Sequence, residues 1–290
     1  MRLKVRLADG RNVAVKVSGS PTGHPVFLMH GTPGSRVAPL PRSFVLHGLG
    51  VRLITFDRPG YGDSDRLVSR QVVDVVPDVE AIADRLGIEG FAVLGRSGGG
   101  PHALACAALL PDRVTRAGIL VSLAPWDADG LDWFAGMSDA NVKEFVNAST
   151  RPEKLTAALV RIAAEIRADP AGHVTTLGPE LPEADQRVLA DSRLRELLAR
   201  NYAEALRDSA DGWIDDSIAF ISPWGFEPAE IKVPVLVWHG QDDVFSPVAH
   251  SRWLADHIPD ASMFIQPGAA HFAAIEVLPD VLSWLIRPPD

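Results

Sequence analysis

A single cysteine, Cys106, in a chain of 290 residues excludes an intramolecular disulfide and any zinc site built on cysteine ligands. Long apolar runs are also missing. Stretches such as residues 118–123 fall far short of a membrane span. The opening Met1-Arg2-Leu3-Lys4-Val5-Arg6-Leu7 alternates charged and apolar residues and has neither the apolar core nor the cleavage site of a secretory signal. These absences predict a soluble cytoplasmic protein with no membrane association. Basic charge is in deficit, with 28 Lys+Arg against 37 Asp+Glu and a formal net charge of −9, which disfavours nonspecific nucleic-acid binding. Neither a His-Glu-x-x-His zinc motif nor a Gly-x-x-x-x-Gly-Lys phosphate loop occurs. There is no internal repeat and no low-complexity tract.

What remains is a globular composition, 47% hydrophobic and 22% charged, too apolar for a disordered chain. Short apolar runs rich in β-branched residues recur at 26–29, 51–56, 91–94, 117–123, 233–238 and 262–265, with helical stretches such as 78–86 and 101–110 between them. Near-continuous apolar strands alternating with helices predict a mostly parallel β-sheet flanked by helices. Residues 3–7 and 12–17, joined at Asp9-Gly10, predict an antiparallel hairpin leading into it. The alternation stops between 126 and 229, where only helical periodicity is found, in pieces such as 153–167 and 185–206. Pro170, Gly172, Pro179 and Pro182 interrupt it. The expected organisation is an α/β core in two parts, 1–125 and 230–290, with a helical insert at 126–229. That insert carries 10 Lys+Arg and 19 Asp+Glu, so the whole net charge resides on it. Solvated helix faces are one explanation; an acidic lid that repels anions and attracts amines is the other.

The most informative stretch is Phe91-Ala92-Val93-Leu94-Gly95-Arg96-Ser97-Gly98-Gly99-Gly100. It sets Gly-x-Ser-x-Gly between an apolar strand and a small-residue helix, the context in which a strained turn lifts a serine hydroxyl clear of a sheet. A serine nucleophile needs a base, and the base an orienting carboxylate. His271 lies on a loop after the last strand run. Asp242 and Asp243 follow the run that ends at Trp238, at the sheet edge where such folds assemble sites. The order serine, aspartate, histidine differs from those of the two common serine-protease types.

On these motifs the chain resembles the α/β-hydrolase fold superfamily. The segments His30-Gly31-Thr32-Pro33-Gly34 and Asp57-Arg58-Pro59-Gly60-Tyr61-Gly62-Asp63-Ser64 are similar to that family's loops after its third and fourth strands. The insert falls between the sixth and seventh strands, where the family carries its cap. The resemblance implies a triad of Ser97, Asp243 and His271, with Asp242 as the alternative acid, and an oxyanion hole formed by the backbone N–H groups of Thr32 and Gly98. His30 and His239, each preceding a glycine, are expected to be structural, and His102 to pack or cap. No metal or organic cofactor is needed by such a mechanism, and the expected partner is a small-molecule substrate.

Serine at the nucleophile position excludes the epoxide hydrolases and haloalkane dehalogenases of this fold, which use aspartate. The expected activity is hydrolysis of a carboxylic ester or lactone with a small or hydrophobic acyl group. The His-Gly-x-Pro loop and the acidic insert also resemble those of proline iminopeptidases, with Asp127, Asp129, Asp132, Glu204 and Asp208 as candidate amine contacts. Thr32, Ser35 and Arg96 depart from that group's pattern. Cofactorless haloperoxidase activity and a non-catalytic ligand-binding role are further alternatives. Arg96, Trp126, Trp133, Phe134 and Trp213 are the candidate substrate-binding residues; Arg96 is read as either a buried ion-pair partner or a group bordering the acyl pocket.

Overall fold

The computed structural model describes residues 1–177 and 181–287. Eight strands form one sheet: β1 (Arg2–Arg6), β2 (Asn12–Gly19), β3 (His24–Met29), β4 (Val51–Phe56), β5 (Phe91–Arg96), β6 (Val114–Leu120), β7 (Val235–Gly240) and β8 (Ala261–Gln266). Their spatial order is β1-β2-β4-β3-β5-β6-β7-β8. The hairpin β1–β2 is antiparallel and β2 meets β4 antiparallel; every later pairing is parallel.

Strand residues alternate between faces, so β3 sends Val26 and Leu28 to one side and Phe27 and Met29 to the other. On the first side α1 (Ser43–Gly48) and α11 (Leu278–Leu285) cover the sheet with Leu46, Val281, Leu282 and Leu285. On the second, α2 (Val75–Arg85), α3 (Gly99–Leu109) and α10 (Val248–His257) contribute Val79, Ile82, Leu104 and Leu254. Full burial of such a side chain is worth ~1.5–3 kcal/mol, and both faces are covered, as the unbroken apolar strands require. Several strand bounds differ from the sequence expectation by one to three residues, and two of the ends have a local cause. β6 ends at Leu120 because Val121 adopts a left-handed φ of 47°, although its N–H still donates to the Trp238 carbonyl of β7 at 3.1 Å. β7 starts at Val235 because Pro234 has no N–H to donate.

Between β6 and β7 run α4 (Asp139–Thr150), α5 (Pro152–Ala168), α6 (Pro170–Leu177), α7 (Glu183–Leu189), α8 (Ser192–Ala205) and α9 (Asp211–Phe220). Pro152 and Pro170 open helices instead of breaking them, since a first-turn proline loses no intrahelical bond. Gly172 lies within α6, and Pro182 is the N-cap of α7; Pro179 lies outside the described residues. The stretch 185–206 is two helices, divided where Asp191 accepts from the backbone N–H of Arg193 at 2.8 Å and caps α8. Leu155, Leu159, Ala163 and Ile166, on one face of α5, pack with Leu206, Ile214 and Tyr61 into a separate small core. No helix among the described residues is long and apolar enough to cross a membrane.

The negative charge of these helices meets arginines of the core. Glu204 pairs with Arg36 at 2.7 Å, Asp211 and Asp215 with Arg66 at 3.0 and 2.8 Å, and Asp216 with Arg58 and Arg70 at 2.5 and 2.6 Å. These four acids are spent on complementarity across a seam, while others of the insert, such as Asp127, Asp129, Glu153, Glu165 and Asp208, stand on solvated faces. Asp216 is fully buried. Burial alone would raise its pKa, but Arg58 and Arg70 hold it well below the usual carboxylate range.

Two buried histidines beside this core, His102 and His250, are held down to about 4, in each case chiefly by burial. Their folded-state pKa lies below the unfolded value, so the stability they carry is complete above pH 6.5 and is lost as pH falls toward 4. Urea unfolding is expected to show a loss on the order of 3 kcal/mol per histidine across that window. His250→Asn should flatten the profile; an unchanged slope in that variant would contradict the assignment.

Candidate active site

The turn between β5 and α3 is built by two glycines. A Cβ on Gly95 would stand 2.3 Å from the Gly99 carbonyl oxygen, and one on Gly99 would stand 2.2 Å from that of Met29. Helix and strand approach this closely only without side chains there. Ser97, between them, has φ 54°, a left-handed conformation that costs a non-glycine residue about 1–3 kcal/mol. Its N–H donates to the Leu120 carbonyl at 2.8 Å, which anchors the turn to β6. Ser97 is thereby presented at the N-terminus of α3, where the helix dipole favours developing negative charge.

His271 opens the short helical turn Phe272–Ile275 after β8. Its Nδ1 lies 2.8 Å from Asp243 Oδ2. An ionised carboxylate only accepts, so Nδ1 carries the proton and Nε2 presents its lone pair. Asp243 is also held by the N–H groups of Phe245 and Ser246, at 2.8 and 3.2 Å, and lies 3.4 Å from His239 Nε2. Burial pushes its pKa up, but His271 and His239 outweigh that and keep the carboxyl well below its ordinary range. The neighbouring Asp242 is exposed and uses its backbone N–H on the Ala269 carbonyl. His271 therefore meets Asp243 and not Asp242. The backbone N–H groups of His271 and Phe272 donate to Asp185 on α7, at 3.3 and 2.7 Å. A carboxylate from the inserted helices thus anchors the histidine loop.

Gly98 and Thr32 face each other closely: a Cβ on Gly98 would lie 2.3 Å from Thr32 Oγ1. Neither backbone N–H makes a hydrogen bond among the described residues. The Thr32 hydroxyl donates to Asp216 at 2.5 Å and accepts from Arg58 at 3.0 Å. Tyr61 donates to the same carboxylate at 2.8 Å, Arg70 at 2.6 Å, and His102 lies 3.4 Å away. The Arg58 guanidinium also donates to the His30 carbonyl, and the Arg58 backbone N–H donates to His30 Nε2 at 3.1 Å. His30, His102 and His239 are all buried and engaged in structural contacts, and His102 joins the Asp216 network as well as packing.

A cavity of about 560 Å³ lies over the turn, lined by Thr32, Arg96, Ser97, Gly98 and His271 from the core and by Glu144, Leu159, Tyr202, Trp213 and Phe220 from the inserted helices. Its size and largely apolar wall suit a small organic molecule. Neither Ser97 Oγ nor His271 Nε2 has a hydrogen-bond partner among the described residues, and both residues line this space. A hydroxyl, an imidazole oriented by a carboxylate, and two unused N–H groups can together activate a nucleophile and receive an oxyanion.

Two of the five candidate substrate-binding residues, Arg96 and Trp213, are on this wall. Trp126, Trp133 and Phe134 are not. They stack edge-to-face with one another at 5.0–5.5 Å, Trp133 meets Phe145 at 4.8 Å, and its indole N–H is spent on the Ala124 carbonyl. The cluster packs the start of the insert onto the core, because a buried indole needs an acceptor that the interior supplies. Asp127, Asp129, Asp132 and Asp208 are exposed and Glu204 pairs with Arg36; none of the five lines the cavity. The acid that does so from α4 is Glu144, which accepts from Trp213 Nε1 at 3.0 Å and Ser217 Oγ at 2.7 Å and whose pKa burial raises.

Comparison with known proteins is consistent with this architecture. The chain is 30% identical over 220 residues to the pimeloyl-[acyl-carrier protein] methyl ester esterase of Nitrosomonas europaea, covering 76% of this chain and 78% of that one. It is 33% identical over 133 residues to a proline iminopeptidase of Arabidopsis thaliana, but that match spans 45% of this chain and only 34% of the relative. The crystal structure of the enol-lactonase from Burkholderia xenovorans LB400 superposes with a TM-score of 0.68 at 20% identity, over 98% of both chains. The family model described as alpha/beta hydrolase fold matches residues 24–277, and the chain belongs to that family of hydrolases.

Proposed function

We propose that the protein is a serine hydrolase that cleaves a small-molecule carboxylic ester through an acyl-enzyme on Ser97. The observation that carries this reading is the 2.8 Å contact of His271 Nδ1 with Asp243, on an imidazole that shares a cavity with a left-handed Ser97. His271 Nε2 takes the Ser97 proton as Oγ bonds to the ester carbonyl carbon. The carbonyl electrons move onto oxygen, where the N–H groups of Thr32 and Gly98 receive them. Collapse of this intermediate breaks the bond to the alkoxy oxygen, which leaves with the proton held by His271. Water then attacks the acyl-serine with the same histidine as base, and the carboxylic acid departs. Asp243 keeps the imidazole in the productive tautomer throughout. Residues 126–229 act as a cap, whose α4, α5, α8 and α9 close the cavity from above.

The test is turnover of p-nitrophenyl acetate, butyrate and octanoate beside proline p-nitroanilide, with fluorophosphonate labelling of Ser97. Ester turnover with labelling is the expected result. Turnover of the anilide alone would replace this reading with an aminopeptidase, and halide-dependent peroxide chemistry without ester turnover would replace it with a haloperoxidase. Absence of both labelling and turnover would overturn the catalytic reading.

A further inference from the structure

Arg96 is the last residue of β5, directly before the candidate nucleophile, and the chemistry proposed above gives it no part. Its surroundings differ from those of the other core arginines at the seam. Arg36, Arg58, Arg66 and Arg70 each pair with a carboxylate from the inserted helices at 3.0 Å or less. The Arg96 guanidinium makes no ion pair and no hydrogen bond among the described residues, although it is shielded enough for burial to lower its pKa. Its electrostatic neighbour is Tyr202, a phenol that burial keeps protonated and therefore uncharged. Arg96 is only partly buried and borders the cavity, so its guanidinium is free to meet an anion that enters that space.

The space that would answer it is the cavity, whose wall includes Arg96 together with Ser97 and Gly31. The point a Cβ on Gly31 would occupy is 3.4 Å from Ser97 Cβ and 3.9 Å from Arg96 Nη2. The guanidinium and the serine are therefore separated by no more than the sum of those distances, and the missing side chain of Gly31 keeps the path between them open. The floor beneath Thr32 adds positive potential, because two buried arginines, Arg58 and Arg70, share the single carboxylate of Asp216. The acidic residues of the cavity, Glu144 and Asp139, both belong to α4, and Glu144 is already engaged by Trp213 and Ser217.

We infer that Arg96 is a carboxylate receptor, and that the substrate is an anionic ester carrying a carboxylate a few carbons from the scissile carbonyl, as in a half-ester of a short dicarboxylic acid. The planar guanidinium offers paired N–H donors to such a group, and its position close to Ser97 limits the spacer to a short chain. This rests on the ester-hydrolase reading and narrows it from esters in general to those with a free acid.

The test compares each half-ester with the neutral ester of the same acyl length: monomethyl succinate with methyl butanoate, monomethyl glutarate with methyl pentanoate, and monomethyl adipate with methyl hexanoate. For at least one pair the wild-type kcat/KM should favour the half-ester by about tenfold or more, and Arg96→Met should bring that ratio to about unity. Arg96→Lys, which keeps charge but loses the planar fork, should retain part of the preference. Independently of turnover, free succinate, glutarate or adipate should slow fluorophosphonate labelling of Ser97 in the wild type and not in Arg96→Met. Preference for the neutral ester in every pair, or equal protection of wild type and Arg96→Met, would overturn the receptor while leaving ester hydrolysis standing. A wild type whose Ser97 is not labelled at all would remove both.

Discussion

Ser97→Ala is expected to lower ester turnover by on the order of 10⁶-fold while leaving the unfolding free energy nearly unchanged. The nucleophile and its base act as a unit, so losing either forfeits most of what the pair contributes, and the residual rate reflects binding and the oxyanion donors alone. The fold should survive because Ser97 Oγ makes no hydrogen bond among the described residues, whereas the bond anchoring the turn, from the Ser97 N–H to the Leu120 carbonyl, belongs to the backbone. Relief of the left-handed φ is not gained, since alanine shares the same strain. Asp243→Asn belongs to the same experiment and should cost ~10⁴-fold by disturbing the imidazole tautomer. Asp242→Asn, at an exposed position one residue away, should cost almost nothing. Substantial loss from Asp242→Asn with little from Asp243→Asn would reverse the assignment, and full activity of Ser97→Ala would end it.

The second large effect is expected at Asp216. Its carboxylate lies on α9 but serves the core: it binds Thr32, Arg58, Tyr61 and Arg70 and lies within 3.4 Å of His102. Asp216→Ala would leave two buried guanidinium groups, each with an Nε already lacking a partner, without their counter-charge. Removing one member of such a buried network costs about 3–5 kcal/mol, which urea denaturation would register directly. Asp216→Asn keeps the volume and some of the hydrogen bonds but not the charge, and it should fall between alanine and wild type. At a temperature where the variant remains folded, kcat should fall more than KM rises, because Thr32 would lose the hydroxyl contact that sets its loop. A stability loss below about 1 kcal/mol would show that the arginines find other partners.

Asp216 and Asp185 also bear on how the inserted helices work. One reaches from α9 to the loop after β3, the other from α7 to the backbone of His271. The insert thus contributes to holding both the Thr32 loop and the His271 loop, and motion that lifted α7 or α9 away would break those contacts. The helices α4 and α5 line the cavity and make no ion pair with the core among the described residues.

The sequence by itself determined what depends on local sterics and periodicity. Gly95 and Gly99 around Ser97 announce a strand packed tightly onto a helix, because any side chain would meet backbone within van der Waals distance. The strands announced themselves as apolar runs covered on both faces, and Asp9-Gly10 marked the hairpin. Motif order brought Ser97, Asp243 and His271 into one hypothesis across 174 positions of chain. The tertiary structure alone decided which charges meet. Asp216 and Thr32 are 184 residues apart, Asp216 and Tyr61 are 155, and Phe272 and Asp185 are 87. An aspartate on a helix looks the same in sequence whether it faces water or a buried arginine, because the partner's position is set by the packing of distant elements. The same holds for the aromatic residues of the insert: composition could name Trp126, Trp133, Phe134 and Trp213 together, but only packing sends Trp213 to the cavity and the other three to a seam. Arg96 was visible beside the serine from the start. That it has no counter-charge among the described residues is a property of everything around it, and no local pattern records that.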